Sequence, residues 1–255
     1  MKLFLAILFL GNVVFAQTTS KINATLPFAG GKYFSYMTNF ALDQVNNEIE
    51  QAIIAVHGSA LNFETYFNTM QTLSNKQKLD RSTLVISPHY RTDTENPLAP
   101  ANELLWTDEG WLSGDPALNL KTLSAFQIID QFIDLLENKN NFPKLRTIIL
   151  TGHSAGGQLT QRYAVGTEID FKHPGTRFRF IVANPGSYLY LSDKRLNPNE
   201  PGIFSTPINP GCAYNDYKYG MDNIQNAYMK KVPKDRAVKN NLNRDVTYLL
   251  GEQDT

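Results

Sequence analysis

The sequence predicts an α/β protein whose mostly parallel central sheet carries helices on both faces. Short apolar runs rich in β-branched residues recur along the chain, as in strands buried on both faces. Between them lie segments whose apolar residues repeat every three or four positions, as on the buried side of a helix. Because strands and helices alternate, parallel pairing is favoured over antiparallel pairing.

Five apolar runs are predicted to form the buried strands. They cover residues 51–56, 83–87, 147–151, 179–183 and 246–250. An earlier aromatic segment with partial alternation, residues 33–42, is predicted to form antiparallel strands.

The clearest helical periodicity covers residues 120–137, and a weaker one covers residues 62–73. The segment 138–143, which contains Pro143, is predicted to end the first of these helices. Two stretches without periodicity, residues 89–119 and 185–232, are predicted to be surface insertions.

The first 16 residues are typical of a secretory signal peptide, with one basic residue, a short apolar run and Ala16 at the cleavage point. A membrane anchor is disfavoured because the apolar run is shorter than the ~20 residues that span a bilayer and contains Asn12. The rest, residues 17–255, suits one α/β domain. The sequence therefore predicts a secreted protein without a stable membrane anchor.

Charge and composition exclude several classes of partner. Basic and acidic residues number 24 each, giving no net charge, and no basic patch is present. Binding of nucleic acid is therefore not expected. No cluster of histidine, cysteine and carboxylate residues has the spacing of metal ligands, so neither a metal nor an organic cofactor is expected. The oligomeric state stays open.

The segment Gly152-His153-Ser154-Ala155-Gly156 lies between a predicted strand and a helix-compatible segment. This is the setting of a nucleophile elbow, in which a G-x-S-x-G turn holds a serine hydroxyl above the end of a strand. Glycine tolerates the crowding of so tight a turn. The sequence predicts Ser154 as a catalytic nucleophile and the Ala155 N–H as a donor to an oxyanion. The alternative is a glycine-rich turn without chemistry.

The other predicted parts of a serine hydrolase site follow two further strands. His57-Gly58-Ser59 directly follows the strand at 51–56. A backbone N–H from this loop supplies the second oxyanion donor in such sites, and we assign it to Ser59, with Gly58 permitting close approach. An ordinary strand-end turn is the alternative.

The acid is expected after the last predicted strand, at Asp254, with Glu252 and then Asp193 as alternatives. No candidate for the catalytic base has the expected position, because the base should follow the acid in the chain. The four histidines are His57, His89, His153 and His173, and all four precede Asp254. We therefore expect the sequence to be incomplete at its C-terminus, with a last strand, a histidine-bearing loop and a last helix beyond Thr255.

From residue 52 to Asp254 the chain resembles the α/β-hydrolase superfamily, and in particular some secreted, poorly characterised microbial and fungal members. The closer likeness rests on the two tryptophans and on several segments, namely residues 123–130, 152–158, 162–164, 183–190, 212–215 and 219–220. The resemblance implies Ser154 as nucleophile, Asp254 as acid and a histidine downstream. It also implies a disulfide partner for the single cysteine, Cys212, in the same missing tail.

Three residues are candidates for contact with substrate. Trp106 and Trp111 lie in the first insertion and could form a pocket wall, although they could equally anchor the loop in the core. Asn184 follows a strand at the sheet edge where such folds bind ligands, or belongs to a simple turn.

Together these observations predict a secreted serine hydrolase that cleaves a small-molecule or other carboxylic ester, in the manner of an esterase or lipase. A peptidase is the enzymatic alternative, because the same triad cleaves amides. A non-catalytic binding protein with this fold, or an inactive truncated product, is the alternative from another class.

Overall fold

The computed structural model describes residues 21–95 and 100–252. The predicted signal peptide, residues 1–16, and the predicted acid, Asp254, lie outside the described residues.

A seven-stranded sheet forms the centre of the molecule, with strand order β1-β2-β4-β3-β7-β8-β11. Strands β4, β3, β7, β8 and β11 run parallel to one another. Strand β2 pairs antiparallel with both β1 and β4. The strands are β1 (Ile22–Pro27), β2 (Tyr33–Thr38), β3 (Gln51–Val56), β4 (Thr83–Pro88), β7 (Thr147–His153), β8 (Arg177–Ala183) and β11 (Asp245–Leu249).

Six helices and two short hairpins complete the described fold. The helices are α1 (Phe63–Lys76), α2 (Gly110–Ser113), α3 (Ala125–Leu136), α4 (Ala155–Gly166), α5 (Ile169–Lys172) and α6 (Lys234–Asn243). The hairpins pair β5 (Pro116–Ala117) with β6 (Leu120–Ser124), and β9 (Arg195–Leu196) with β10 (Phe204–Ser205).

Helices cover both faces of the sheet, as strand β2 shows. Tyr36 points to the face where the ring of Phe132 from α3 lies 5.0 Å away, between ring centroids. Met37, the next residue, belongs to a separate cluster with Phe67 of α1 on the opposite face. Successive side chains of a strand point to opposite faces, so α1 and α3 lie on different sides. The predicted fold class is confirmed.

The helix predicted over residues 120–137 begins five residues later than predicted. Residues 120–124 form strand β6, and α3 begins at Ala125 with Ser124 as its N-cap. The Ser124 hydroxyl accepts from the Phe126 N–H, while the Gln127 side chain accepts from the Ser124 N–H. This reciprocal capping fixes the residue at which the helix begins. The S-x-x-Q spacing was the sequence signal for that boundary.

The antiparallel part of the sheet also differs from the prediction. Strand β2 ends at Thr38 rather than at residue 42, and it pairs with β1, a strand at residues 22–27 that the apolar patterning did not indicate. Most of β1 is exposed or half-buried, because it is an edge strand and carries few apolar residues.

Strand β11 forms the other edge of the described sheet. It pairs with β8 on one side only, and its end exposes apolar side chains, with Leu249 53% exposed and Leu250 63% exposed. An unpaired edge with free backbone groups and apolar side chains is prone to pair with other chains. Across the described residues, no helix has the length and apolar character needed to cross a membrane.

We expect residues 17–255, expressed alone, to associate through β11. Leu249→Lys should reduce that association, because a charge on an edge strand disfavours pairing with a second chain. The measurement is light scattering over a concentration series. Leu196→Lys is the matched control, since Leu196 is also 53% exposed but lies in the β9–β10 hairpin. A monodisperse monomer before any substitution would contradict this prediction.

Candidate active site

Ser154 lies between the end of β7 and the start of α4 and has a strained backbone. Its φ of 57° and ψ of −118° fall where residues with a side chain are rarely found. Two backbone hydrogen bonds hold this conformation: the Ser154 N–H donates to the Ala183 carbonyl at 3.0 Å, and the Gln158 N–H donates to the Ser154 carbonyl at 3.0 Å. The turn therefore has the geometry expected of a nucleophile elbow.

The glycines of the turn are required by close backbone contacts. A Cβ on Gly156 would lie 2.3 Å from the Val56 carbonyl oxygen at the end of β3. A Cβ on Gly152 would lie 2.3 Å from the carbonyl carbon of Gly156. Since the opposing atoms are backbone, no rotation of a side chain could relieve either overlap. These contacts confirm the steric reason that made the motif informative.

The Ser154 side chain is half-buried. Within residues 21–95 and 100–252, no hydrogen-bond partner holds its hydroxyl. The hydroxyl lies at the N-terminus of α4, a helix of 12 residues. The first backbone N–H groups of a helix have no partner within the helix and carry partial positive charge. The Ala155 N–H is therefore available as a donor at the position predicted for it.

Gly58 packs directly against the serine. A Cβ on Gly58 would lie 3.7 Å from the Ser154 Cβ and 3.6 Å from the His153 carbonyl oxygen. The loop that follows β3 and the turn that follows β7 are thus brought together, as the sequence predicted. Strands β3 and β7 are neighbours in the sheet, with Val56 opposite Gly152.

The orientation of the Gly58–Ser59 peptide follows from His57. The Gly58 carbonyl accepts hydrogen bonds from the His57 Nδ1 at 2.8 Å and from the Leu61 N–H at 3.1 Å. In a trans peptide the carbonyl and the following N–H point in opposite directions. Because the Gly58 carbonyl points at the buried His57 ring, the Ser59 N–H points away from the interior. This geometry favours Ser59 as the second oxyanion donor.

Comparison with solved structures gives the fold. LpqC, a poly(3-hydroxybutyrate) depolymerase from Bordetella parapertussis, superposes with a TM-score of 0.60 at 15% identity, over 92% of this chain and 67% of that one. Poly(aspartic acid) hydrolase-1 from Sphingomonas sp. KT-1 gives 0.59 at 19% identity, over 92% and 72%. The chain has the α/β-hydrolase fold. No family model matches the sequence, and no curated protein sequence matches it.

None of the four histidines supplies a base to Ser154 in this α/β-hydrolase fold. His57 uses both ring nitrogens, since its Nε2 accepts from the Tyr90 N–H at 3.0 Å. His89 pairs with Glu95, with 3.0 Å between Nε2 and Oε1. His173, at the end of α5, pairs with Asp134, with 2.9 Å between Nε2 and Oδ1.

His153 precedes the nucleophile in strand β7 and is exposed. Among the described residues, no hydrogen bond joins the His153 ring to the Ser154 hydroxyl.

Burial sets the charge of His57. The side chain is fully buried, and this burial lowers the pKa of His57 to about 3, although its hydrogen bond to Gly58 partly opposes the shift and His89 adds to it. Because Nε2 accepts a hydrogen bond, the proton of the neutral ring is on Nδ1. His57 is therefore a neutral, structural residue at the start of the loop that follows β3, a role that its place in the sequence did not reveal.

The carboxyl ends of β8 and β11 are joined beside the elbow. The Asn184 N–H donates to the Leu249 carbonyl at 2.9 Å, and its side-chain oxygen accepts from the Gly251 N–H at 2.8 Å. Asn184 thus holds the start of the loop that leads to Asp254. Glu252, the second choice as acid, is exposed at that loop, and its predicted role stays a prediction, as does substrate contact by Asn184.

The two tryptophans lie in the core. Trp106 is fully buried, and its Nε1 donates to the Asp115 carbonyl at 3.1 Å. Trp111 is 1% exposed, and its ring lies 4.8 Å from the His57 ring, between centroids. Both positions are those of residues that anchor the insertion, which was the alternative interpretation. Contact with substrate stays a prediction that these positions do not favour.

Arg162 is a polar residue near the site whose role sequence reasoning missed. It is fully buried and lies two turns after Ser154 in α4. Its guanidinium donates to the Leu112 carbonyl, the Gln158 side chain and the Ser187 hydroxyl, at 2.9–3.1 Å. Burial lowers the pKa of Arg162. These bonds tie both insertions to the helix that carries the nucleophile.

Acidification should destabilise the protein through His57. Its pKa is about 3 when folded, against 6.5 for an ordinary histidine, so the unfolded chain binds a proton more readily. The stabilisation is present above pH 6.5 and is lost as the pH falls towards 3. Between pH 7 and pH 4.5 we expect a loss of roughly 3 kcal/mol in unfolding free energy from this residue.

Denaturant unfolding at the two pH values measures this loss. The variant His57→Asn keeps an N–H donor for Gly58 but cannot be protonated. It should be less stable than the wild type at pH 7 and show a shallower pH dependence. An equal pH dependence in both proteins would contradict the assignment.

Proposed function

We propose that this protein is a secreted serine hydrolase that cleaves carboxylic esters, with Ser154 as nucleophile. One observation carries the proposal. Ser154 has a strained backbone, with φ at 57°, and its hydroxyl, at a helix N-terminus, has no hydrogen-bond partner in the described part of the chain. Strain of this kind costs of order 1–3 kcal/mol and persists where the surrounding structure enforces it, commonly at functional sites.

The proposed reaction follows from the donors around Ser154. The Ser154 Oγ attacks the ester carbonyl carbon while a base removes the hydroxyl proton. The carbonyl oxygen becomes an oxyanion that accepts hydrogen bonds from the Ala155 and Ser59 N–H groups. Collapse breaks the bond to the alcohol, which leaves with the proton from the base. Water, activated by the same base, then releases the acid from the acyl-serine.

The proposed acid is Asp254, and the proposed base is a histidine carried after Thr255. Two findings support this division. The loop that leads to Asp254 starts at the carboxyl end of β11, tied through Asn184 to the end of β8, and the end of β8 holds the Ser154 backbone. In the described part of the chain, none of the four histidines of this sequence is hydrogen-bonded to Ser154.

Ester cleavage is our first choice and amide cleavage the alternative. One structural neighbour is named for poly(3-hydroxybutyrate), which is an ester polymer, and the other for poly(aspartic acid). The proposed oxyanion donors, Ser59 and Ala155, disfavour a non-catalytic protein, whereas the positions of the histidines favour it. We propose a small-molecule or polymeric ester as substrate, with no metal, organic cofactor or nucleic acid involved.

A fluorophosphonate probe tests the nucleophile. The protein translated from its complete reading frame should be labelled and should hydrolyse p-nitrophenyl butyrate, whereas Ser154→Ala should lose both properties. Loss of the nucleophile should lower turnover by about 10⁶-fold, to background. Ser82→Ala is the matched control, because Ser82 is a half-buried serine just before β4, at the opposite edge of the sheet.

Equal labelling of wild type and Ser154→Ala would overturn the nucleophile assignment. Absence of both labelling and hydrolysis in the wild type would favour the non-catalytic alternative. Faster turnover of a matched p-nitroanilide than of the ester would favour a peptidase.

Secretion is proposed from residues 1–16. The basic residue, apolar run and small residue at position 16 match a signal peptide. N-terminal sequencing of protein recovered from the culture medium should begin at Gln17. Recovery only from the cell interior, with Met1 retained, would contradict this.

A further inference from the structure

Tyr66 lies on α1 and reaches back over the loop that follows β3. Side chains in a helix point towards its N-terminus, and α1 begins at Phe63, three residues before Tyr66. The Tyr66 hydroxyl oxygen lies 3.2 Å from the point that a Cβ on Gly58 would occupy. The same point lies 3.7 Å from the Ser154 Cβ. The Tyr66 hydroxyl and the Ser154 Cβ therefore both lie close to Gly58, where a larger residue would crowd them.

The Tyr66 hydroxyl has a proton to donate. Burial raises the pKa of Tyr66 above its usual 10, and a hydrogen bond with the Gly58 backbone opposes part of the rise. The hydroxyl thus lies against the Gly58 backbone and keeps its proton at ordinary pH. No group in the described part of the chain accepts that proton. The hydroxyl is neutral at ordinary pH, so it can donate throughout the working range of an esterase.

Support of the loop does not by itself explain this placement. The Gly58 carbonyl is already fixed by two donors, the His57 Nδ1 and the Leu61 N–H. The loop therefore has its conformation without the Tyr66 proton. The phenol proton has no acceptor among the described residues, and the hydroxyl lies beside Gly58, the residue that also packs against Ser154.

We propose that the Tyr66 hydroxyl is a third donor to the oxyanion, beside the N–H groups of Ser59 and Ala155. The inference rests on the proposed function, because it assigns a partner to the charge that forms when Ser154 attacks. The phenol donates a hydrogen bond and transfers no proton. The hydrogen bond is stronger to the full charge of the oxyanion than to the ester carbonyl, so it lowers the barrier more than it improves binding.

The variant Tyr66→Phe removes the hydroxyl and keeps the ring. In the protein translated from its complete reading frame, we expect kcat for p-nitrophenyl butyrate to fall by about 100-fold. KM should stay within about two-fold of the wild type, and the thermal midpoint within about 2 °C. Thr69→Val is the matched control. It removes a hydroxyl from the same helix that bonds only to the Thr65 carbonyl, at 2.8 Å.

A second measurement separates direct donation from support of the loop. A crystal structure of the wild type phosphonylated at Ser154 should place the Tyr66 oxygen within hydrogen-bond distance of the phosphonyl oxygen, beside the Ser59 and Ala155 nitrogens. A tyrosine turned away from that oxygen would overturn the inference. So would a Tyr66→Phe enzyme with wild-type kcat, or one whose loss of activity only follows a lowered thermal midpoint.

Failure of the proposed function gives a different result. If Ser154→Ala retains the wild-type activity, or the wild type has none, the nucleophile assignment fails and the role of Tyr66 fails with it. If Ser154→Ala is inactive while Tyr66→Phe is fully active, only the role of Tyr66 is wrong.

Discussion

The close contact between the first turn of α4 and the end of β3 is the constraint on which the rest of the site depends. A Cβ on Gly156 would lie within 2.3 Å of the Val56 carbonyl oxygen, so the helix backbone rests directly on the strand. This contact fixes α4 over the carboxyl edge of the sheet. It also brings Gly58 against Ser154 and forces the strained turn between β7 and α4. The strain persists because backbone hydrogen bonds from Ser154 to Ala183 and from Gln158 to Ser154 hold both sides of the turn.

Burial decides what His57 does. A histidine beside a candidate serine suggests a base, yet complete burial and two engaged ring nitrogens make this one neutral and fixed. Its Nδ1 holds the Gly58 carbonyl inward, and the Ser59 N–H consequently points outward. The same ring contacts Trp111 in the first insertion. The loop that follows β3 is thus supported by the core of the insertion, and Arg162 ties the insertions to α4, the helix that follows Ser154.

The elements that follow from local apolar patterning were predicted well. Those that depend on pairing with another strand were not. The apolar runs of the five parallel strands identified them, even for β11, whose end is exposed at the edge of the described sheet. Strand β1 was missed because an edge strand needs few apolar residues, and its polar side chains are exposed. The helix predicted over 120–137 was wrong at its start, because Leu120 and Leu123 fit the helical period but belong to β6, which pairs with β5. In the site, Trp106 and Trp111 suited either a pocket wall or an anchor, and only their burial separated the two.

The sequence by itself determined the fold class and the setting of Ser154. The spacing of Gly152 and Gly156 around the serine indicates a local steric requirement. A requirement of this kind involves only consecutive residues, so it can be recognised in the sequence. Only the tertiary structure decided the direction of the Ser59 N–H, the structural role of His57 and the position of Tyr66. Each of these depends on contacts between strands and helices far apart in the chain, such as His57 with Tyr90 and Gly58 with Ser154. No local pattern encodes such contacts, because they exist only once the sheet has brought its strand ends together.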